Sequence, residues 1–133
     1  FIEIRNHDCT SMPFSVLAIY KGILYNDNAI SEIEDLLKGF SNNDFQELRY
    51  NVVKNALQTP IKNYFVKDYA VEILKIADKY LKEMNNGEEK FLEPIKELTE
   101  NGLCPADIIL RNWNGLWNKD MNKLINYLLK NNR

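Results

Sequence analysis

Apolar residues recur along most of this sequence at intervals of three and four, the spacing that places side chains on one face of an α-helix. The pattern predicts six to seven helices separated by short polar stretches. The predicted helical segments are residues 14–25, 29–40, 43–57, 66–84, 88–102, 104–115 and 118–133. The spacing alone therefore indicates a mainly α protein.

The first helical segment, FSVLAIYKGILY, is apolar nearly all round. A helix of this kind is typical of a protein interior, so we expect it to be buried on most of its circumference and to be the central helix. Pro13 suits a first-turn position, and Ser11 lies in a plausible capping region. The polar exception is Lys21, which has either a functional role or, more simply, an apolar stem that covers the helix while its ammonium group reaches water.

Two of the other segments contain signals for where a helix begins. Ser31 and Glu34 have the spacing of a capping box, although the second helix can also begin a turn earlier at Asn28, and Gly39 is expected to end it. In the fifth segment, Pro94 must either kink the helix or begin a new one after a break at Glu93.

The first five residues, FIEIR, follow a different period. Side chains alternate across a β-strand, so Phe1, Glu3 and Arg5 share one face and the two isoleucines between them share the other. A lone strand is not stable, and the only rival strand, NYFVKDY at 63–69, is interrupted by polar residues. We therefore expect the partner strands elsewhere, in a missing N-terminal part or in another copy of the molecule.

Length and composition narrow the class of protein. The 133 residues fit one domain, and 45% apolar and 27% charged residues are ordinary for a globular protein. With 17 Lys plus Arg against 19 Asp plus Glu, the net charge is −2, which argues against a nucleic-acid partner. The sequence has no signal-peptide layout and no apolar run near the roughly 20 residues that a bilayer requires, so we expect a cytoplasmic protein without a membrane partner. The absent initiator Met, together with a strand at residue one, suggests a fragment.

Glu3 and Arg5 are the strongest candidates for chemistry. Their Cα atoms would lie about 7 Å apart on one strand face, so both side chains can enter one pocket. A carboxylate can hold a hard divalent cation, and a guanidinium can bind phosphate or a substrate carboxylate with two hydrogen bonds. The pair suits magnesium-dependent phosphoryl transfer. It also suits an ordinary solvent-facing strand with a local ion pair.

The other candidate residues carry weaker signals. His7 beside Asp8 is either an acid/base pair or a solvated loop histidine. Cys9 and Cys104 lack the spacing of a zinc site and are expected to be reduced thiols. The tryptophans of RNWNGLWN either stack on a ligand or anchor one helix on another.

Two stretches resemble a known family. IEIRNHDCTSMPFSVLAIYKGILYND, at 2–27, resembles the segment of glutamate–cysteine ligases in which an (I/L)-E-(V/I/M)-R strand leads into an apolar helix that ends (G)-(I/L)-L-Y-(D/N). FLEPIKELTENGLCPADIILRNWNG, at 91–115, is similar to the C-terminal pattern of that family. Together they cover about half of the chain, in the right order.

The resemblance implies the C-terminal portion of an ATP-dependent ligase that joins glutamate to cysteine through a γ-glutamyl phosphate, with Mg²⁺, on an antiparallel sheet. By motif position, Glu3 would be a magnesium ligand, Arg5 a catalytic residue that binds phosphate or substrate carboxylate, and Asp8 a substrate-binding residue in a supporting role. Residues 1–10 would form the active-site strand and loop, and residues 11–133 a C-terminal helical domain of a larger α+β enzyme.

The expected partners follow from the same resemblance. They are glutamate, cysteine and ATP in the full-length enzyme, and the N-terminal catalytic part of the same protein. We expect the fragment alone to be inactive and to bind neither ATP nor Mg²⁺, and its exposed strand can pair with another copy. His7, Cys9 and Cys104 depart from or vary within the family pattern and receive no role. The competing interpretation is a free-standing helical protein–protein interaction domain.

Overall fold

Seven α-helices account for most of the computed structural model, which describes residues 12–131. In chain order they are α1 (Pro13–Leu24), α2 (Asp27–Leu36), α3 (Asn42–Asn55), α4 (Val66–Met84), α5 (Glu93–Glu100), α6 (Pro105–Asn114) and α7 (Met121–Asn131). Short 3-10 turns at Ala56–Gln58 and Glu89–Leu92 precede the connection to α4 and the start of α5. The predicted mainly α class is confirmed, whereas the predicted active-site strand and loop at residues 1–10 lie outside the described residues.

The central helix is α4, the longest of the seven. It packs against α1, α2 and α5, and it buries Leu74, Ala77, Tyr80 and Leu81. Leu74, Ala77 and Leu81 form the main apolar core together with Ala18 of α1 and Leu92 of the second 3-10 turn. The prediction that α1 is the central helix is therefore wrong.

The prediction that α1 is buried on most of its circumference is also wrong for the described residues. Only Ser15, Ala18 and Gly22 are buried, and they form one narrow face of small side chains. A Cβ atom placed on Gly22 would lie 2.6 Å from the carbonyl oxygen of Ala77, so the glycine lets the two helix backbones approach closely. Larger residues such as Leu17 are excluded from this contact and point outward.

Helix α2 begins earlier than its capping-box pattern predicts. The Asn26 side chain caps it by accepting a hydrogen bond from the Asn28 backbone N–H at 2.9 Å. Ser31 lies inside the helix, where its hydroxyl donates to the Asp27 carbonyl at 3.0 Å. The box at Ser31 and Glu34 is thus wrong, because the cap one turn earlier already satisfies the first backbone donors.

A capping box that the sequence did not single out begins α3. The Ser41 N–H donates to Asp44 Oδ2 at 2.6 Å, and the Asp44 N–H donates to Ser41 Oγ at 3.3 Å. The helix gives way to the 3-10 turn at Ala56, close to the end predicted at residue 57.

A minimal hairpin follows, in which β1 (Pro60–Ile61) pairs antiparallel with β2 (Tyr64–Phe65). The sequence analysis rejected a strand in NYFVKDY at 63–69, and this prediction is wrong for the two residues of β2. With two residues a strand, the hairpin serves as the entry to α4: the Val66 N–H donates to the Thr59 carbonyl at 2.9 Å, and Asp68 accepts from the Phe65 N–H at 2.8 Å.

The start of α5 decides between the two alternatives for Pro94. A new helix begins at Glu93, with Pro94 in its first turn, where its missing N–H has no intrahelical partner to lose. The helical segment predicted at 104–115 is confirmed as well: α6 has Pro105 in its first turn, Asp107 accepts from the Cys104 N–H at 2.7 Å, and Gly115 follows the last turn. Among the helices of residues 12–131, none combines the length and apolar content that crossing a membrane requires.

The close approach of α1 to α4 predicts that Gly22→Ala destabilises the protein. A Gly to Ala change inside a helix normally stabilises it by up to about 1 kcal/mol. Here the new methyl group meets the Ala77 backbone, which cannot rotate away, so we expect a net loss of about 1–3 kcal/mol in the free energy of unfolding. Urea unfolding followed by circular dichroism measures this.

Asn51→Ala, at an exposed position of α3, is the control and should change the free energy of unfolding by no more than about 0.5 kcal/mol. A Gly22→Ala protein at least as stable as the parent would contradict the close backbone contact.

Candidate functional site

The residues that the sequence nominates for chemistry, Glu3, Arg5 and Asp8, lie outside the described residues, as do His7 and Cys9. The structure does describe the place where their segment joins the helices. Met12 precedes α1, so the first turn of α1 is the described part of the chain that lies nearest to these residues in the sequence.

The first turn of α1 packs against the 3-10 turn at Glu89–Leu92, which precedes α5. The Ser15 hydroxyl donates to the Phe91 carbonyl at 2.6 Å, and Ser15 is only 3% exposed. The Phe14 and Phe91 rings stack with centroids 5.4 Å apart. We call Phe14, Ser15 and Phe91 the α1 junction. Because its hydrogen bond is part-buried and short, it holds the first turn of α1 against the 3-10 turn at Glu89–Leu92.

A second contact holds α1 to the same turn. The Lys21 ammonium group lies 2.5 Å from Oε2 of Glu88, and each side chain is about one third exposed. An ion pair at this exposure is screened by water and contributes little stability by itself. The Glu88 carboxylate neutralises Lys21, the one charged side chain of α1. This pairing favours the interpretation in which the apolar stem of Lys21 covers the helix while its ammonium group reaches the surface, over a catalytic role.

Other ionisable groups form pairs that join helices. The Glu32 carboxylate of α2 accepts from Lys79 at 2.6 Å and from Tyr80 at 2.7 Å, both on α4. The Lys79 hydrogen bond, followed by that of Tyr80, holds the pKa of Glu32 below its ordinary value. The hydrogen bond to Glu32 raises the pKa of the Tyr80 hydroxyl, so Tyr80 stays protonated and acts as a donor at neutral pH.

Asp78 of α4 joins the same helix to α5. It lies 2.6 Å from Lys82 and 2.6 Å from Lys96. Burial alone raises its pKa, but the hydrogen bonds from the two lysines outweigh burial and leave the pKa below its ordinary value. Because the pKa of Asp78 is lower in the folded protein than in the unfolded chain, its contacts with the two lysines stabilise the fold at pH values above the unfolded pKa. This stabilisation is lost as the pH falls through the folded pKa of Asp78.

A magnesium site does not form within residues 12–131. No group of three or more His, Cys, Asp or Glu side chains there could hold a metal ion. Several carboxylates are occupied as helix caps, as Asp44, Asp68 and Asp107 each accept a backbone N–H. The described residues therefore do not fit the Mg²⁺ that the resemblance implies.

A groove that the sequence analysis missed lies at the end of the bundle near the hairpin. It encloses about 710 Å³. It is lined by residues of α2, β2, α4 and α5: Leu36, Tyr64, Lys67, Asp68, Tyr69, Val71, Glu72 and Glu100. No single stretch contains this set, so only the tertiary structure brings it together.

The remaining candidates have structural roles where the structure describes them. The Trp117 ring lies 5.1 Å from the Tyr127 ring of α7, as expected for an anchor between helical segments. Cys104 is a free, half-buried thiol. Burial and its hydrogen bond with Asp107 raise the pKa of this thiol, which disfavours the reactive thiolate.

Comparison with curated proteins identifies relatives of one kind. The chain is 30% identical over 112 residues to the chloroplastic glutamate–cysteine ligase of Arabidopsis thaliana, a match that covers 84% of this chain and 22% of the relative. It is 28% identical to the chloroplastic enzyme of Brassica juncea, again over 84% of this chain and 22% of the relative. It is 27% identical to chloroplastic glutamate–cysteine ligase A of Oryza sativa subsp. indica, over 84% of this chain and 23% of the relative. No protein-family model matches the chain.

The resemblance to the C-terminal portion of glutamate–cysteine ligases is thus confirmed, and the chain spans about a fifth of the length of these relatives. The cytoplasmic localisation expected from the sequence is wrong, since the relatives are chloroplastic. The prediction rested on the absence of a signal-peptide pattern in this sequence. Because the chain corresponds to only about a fifth of each relative, that absence carries no information about a targeting segment in the whole protein.

The α1 junction predicts that Ser15→Ala destabilises the protein by about 1–3 kcal/mol, because the part-buried Phe91 carbonyl loses the hydroxyl donor of the buried Ser15 side chain. Ser31→Ala is the matched control, since it removes a hydroxyl-to-carbonyl hydrogen bond on the exposed face of α2 and should change the free energy of unfolding by less than about 0.5 kcal/mol. Equal changes in the free energy of unfolding for the two substitutions, measured by urea unfolding, would contradict a stabilising role of the Ser15 hydrogen bond in the α1 junction.

Proposed function

We propose that this chain is the C-terminal helical part of a glutamate–cysteine ligase, which uses ATP to join the γ-carboxylate of glutamate to the amine of cysteine in the first step of glutathione biosynthesis. The observation that carries the proposal is the match over 84% of the chain to curated glutamate–cysteine ligases. Because the chain corresponds to about a fifth of those proteins, the full reaction requires residues beyond it.

The proposed reaction has two group transfers. A γ-carboxylate oxygen of glutamate attacks the terminal phosphorus of ATP, and ADP leaves. The cysteine amine then attacks the carbonyl carbon of the acyl phosphate, inorganic phosphate leaves, and the amine nitrogen loses a proton. Both transition states carry negative charge on oxygen, so the enzyme accelerates them mainly by positioned positive charge.

Within this scheme, Arg5 and Glu3 are the residues that the chain contributes to the chemistry. The Arg5 guanidinium binds a phosphate or substrate carboxylate with two hydrogen bonds, and the Glu3 carboxylate is a ligand of Mg²⁺, which supplies further positive charge. Asp8 has a supporting role in substrate binding. The described helices position this segment, because α1 is fixed at its first turn by the Ser15 hydrogen bond to Phe91.

The fragment alone is proposed to be inactive. Residues 12–131 contain only the two-stranded β1–β2 hairpin and no group of three or more His, Cys, Asp or Glu side chains that could hold a metal ion, so they do not complete a nucleotide pocket around the predicted strand. Self-association through the strand stays a prediction. Since the relatives are chloroplastic, we expect the full-length protein in a plastid.

Glutamate-, cysteine- and ATP-dependent release of phosphate by the full-length protein, with γ-glutamylcysteine detected by mass spectrometry, tests the proposed activity. In this assay Arg5→Ala should lower kcat about 100-fold or more, because a lost contact to developing charge removes about 3 kcal/mol of transition-state stabilisation.

Arg49→Ala, at an exposed position of α3, is the matched control and should retain parental kinetics. Near-parental turnover of Arg5→Ala would exclude Arg5 from the reaction. A folded full-length protein without any ligase activity would instead favour the free-standing helical interaction domain.

Glu3→Gln should raise the Mg²⁺ concentration needed for half-maximal activity, because a neutral amide is a weaker ligand than a carboxylate. The exposed Glu34→Gln of α2 serves as the control and should leave the magnesium titration unchanged. Superimposable titrations of the Glu3→Gln and parental enzymes would remove Glu3 from the metal site.

A further inference from the structure

The groove near the hairpin, which we call the hairpin groove, has the size of a small-molecule site. It encloses about 710 Å³, and ligand-binding clefts commonly enclose roughly 300–1,000 Å³. Helix α4 contributes most of the lining, and the last residues of α2 and α5, Leu36 and Glu100, complete it together with Tyr64 of β2. A groove of this size suits a small molecule better than a folded partner.

Acidic side chains outnumber basic ones in the lining. The charged lining residues are Asp68, Glu72 and Glu100 against Lys67. Asp68 and Glu72 are four residues apart on α4, so they lie on the same side of that helix. Glu100 belongs to α5. Negative charge therefore lines the groove from two different helices.

Two helix ends add to this negative potential. The C-terminal end of a helix carries partial negative charge, which a basic side chain commonly offsets. Leu36 and Glu100 are the last residues of α2 and α5, and neither helix has a basic residue in its last turn. The positive N-terminal end of α4 also lies at the groove, but Asp68 already accepts the Phe65 N–H there at 2.8 Å. A cation in the groove is therefore favoured by both C-terminal ends.

The carboxylates of the groove are available to a ligand. Within residues 12–131, the Glu100 side chain takes part in no hydrogen bond or ion pair. Glu72 lies 2.7 Å from Lys75, with the two side chains 49% and 65% exposed. An exposed pair of this kind contributes little stability, so a bound cation can replace the lysine at little cost.

Two tyrosine rings form the aromatic part of the lining. Tyr64 and Tyr69 lie edge to face with centroids 6.0 Å apart, and Tyr69 makes a second edge contact with Phe40 at 5.2 Å. These contacts hold the Tyr69 ring in place, while Tyr64 is 59% exposed. An ammonium group that lies over an aromatic face is attracted by the ring quadrupole. The rings thus favour the same sign of ligand charge as the carboxylates.

The spread of the carboxylates indicates the shape of the ligand. Among the described residues, no three carboxylates come close enough together to hold a metal ion. The acidic groups instead lie on two helices, and the apolar side chains of Leu36 and Val71 share the lining with them. A ligand that matches this arrangement has two positive ends joined by an apolar chain.

We propose that the hairpin groove binds a small linear diamine. One ammonium group pairs with Asp68 and Glu72, the other pairs with Glu100, and the methylene chain lies against Leu36 and Val71. This binding activity goes beyond the proposed function, because none of the groove residues is assigned to the ligase reaction.

Isothermal titration calorimetry of the full-length protein with putrescine, a four-carbon diamine, tests the proposal. We expect saturable binding at one site, and binding of the monoamine butylamine that is about fivefold or more weaker, because butylamine lacks the second ion pair. Added salt should weaken putrescine binding, since the carboxylates lie at the surface.

Substitutions of opposite sign locate the site. Glu100→Gln removes a negative charge and should weaken putrescine binding about threefold to fivefold, whereas Lys67→Gln removes the positive charge of the lining and should strengthen it about twofold. Glu47→Gln, the same change as at Glu100 but at an exposed position of α3 outside the groove, is the matched control and should bind putrescine as the parent does. Circular dichroism checks that each variant is folded, and Glu72→Gln replaces Glu100→Gln if that variant is not.

Four results would overturn the proposal: no saturable binding of putrescine at millimolar concentration, equal affinity for butylamine, equal weakening by Glu47→Gln and Glu100→Gln, or binding of a lysine-rich peptide without binding of putrescine, which would assign the groove to a protein partner. The readout is independent of catalysis. An inactive protein that binds putrescine would contradict only the proposed function, and an active ligase that does not bind it would contradict only this site.

Discussion

The close contact between α1 and α4 is the constraint on which the rest of this structure depends. Gly22 brings the backbone of α1 so near to Ala77 that no Cβ atom fits between the helices. Only small side chains, such as those of Ser15 and Ala18, share this face. The larger apolar residues of α1 are consequently turned away from α4, so the same contact that builds the core also creates an apolar outer surface.

A second constraint fixes the ends of this helix pair. The chain leaves α4, makes a 3-10 turn and begins α5 at Glu93, which places the Phe91 carbonyl where the Ser15 hydroxyl reaches it. The first turn of α1 is therefore tied to the connection between α4 and α5. Ion pairs such as that of Asp78 with Lys96 then hold α5 on α4.

Within residues 12–131, the polar side chains mainly join the helices to one another. The helices contain buried hydrogen bonds and paired charges, and several of their carboxylates cap helix ends. The residues proposed to act on substrate, Glu3 and Arg5, belong to the segment that enters α1. The similarity covers about a fifth of each chloroplastic ligase, so most of each relative lies beyond the matched region.

The sequence by itself determined the helical segments, because caps, prolines and apolar spacing act over a few residues. For that reason the helical segment predicted at 104–115 agrees with α6, which begins at Pro105 and is followed by Gly115. It also indicated the resemblance to glutamate–cysteine ligases, through motifs at the two ends of the chain. Local patterns failed where two of them competed, as at Ser31, where the cap at Asn26 one turn earlier begins the helix.

Only the tertiary structure decided which faces of those helices are buried. Periodicity shows that α1 is apolar all round, but it does not show which neighbour covers each side. The hydrogen bond from Ser15 to Phe91 joins residues 76 positions apart, and the groove near the hairpin collects residues from four elements. Such contacts depend on how the helices pack against one another, and packing is a property of the whole chain that no short stretch of sequence contains.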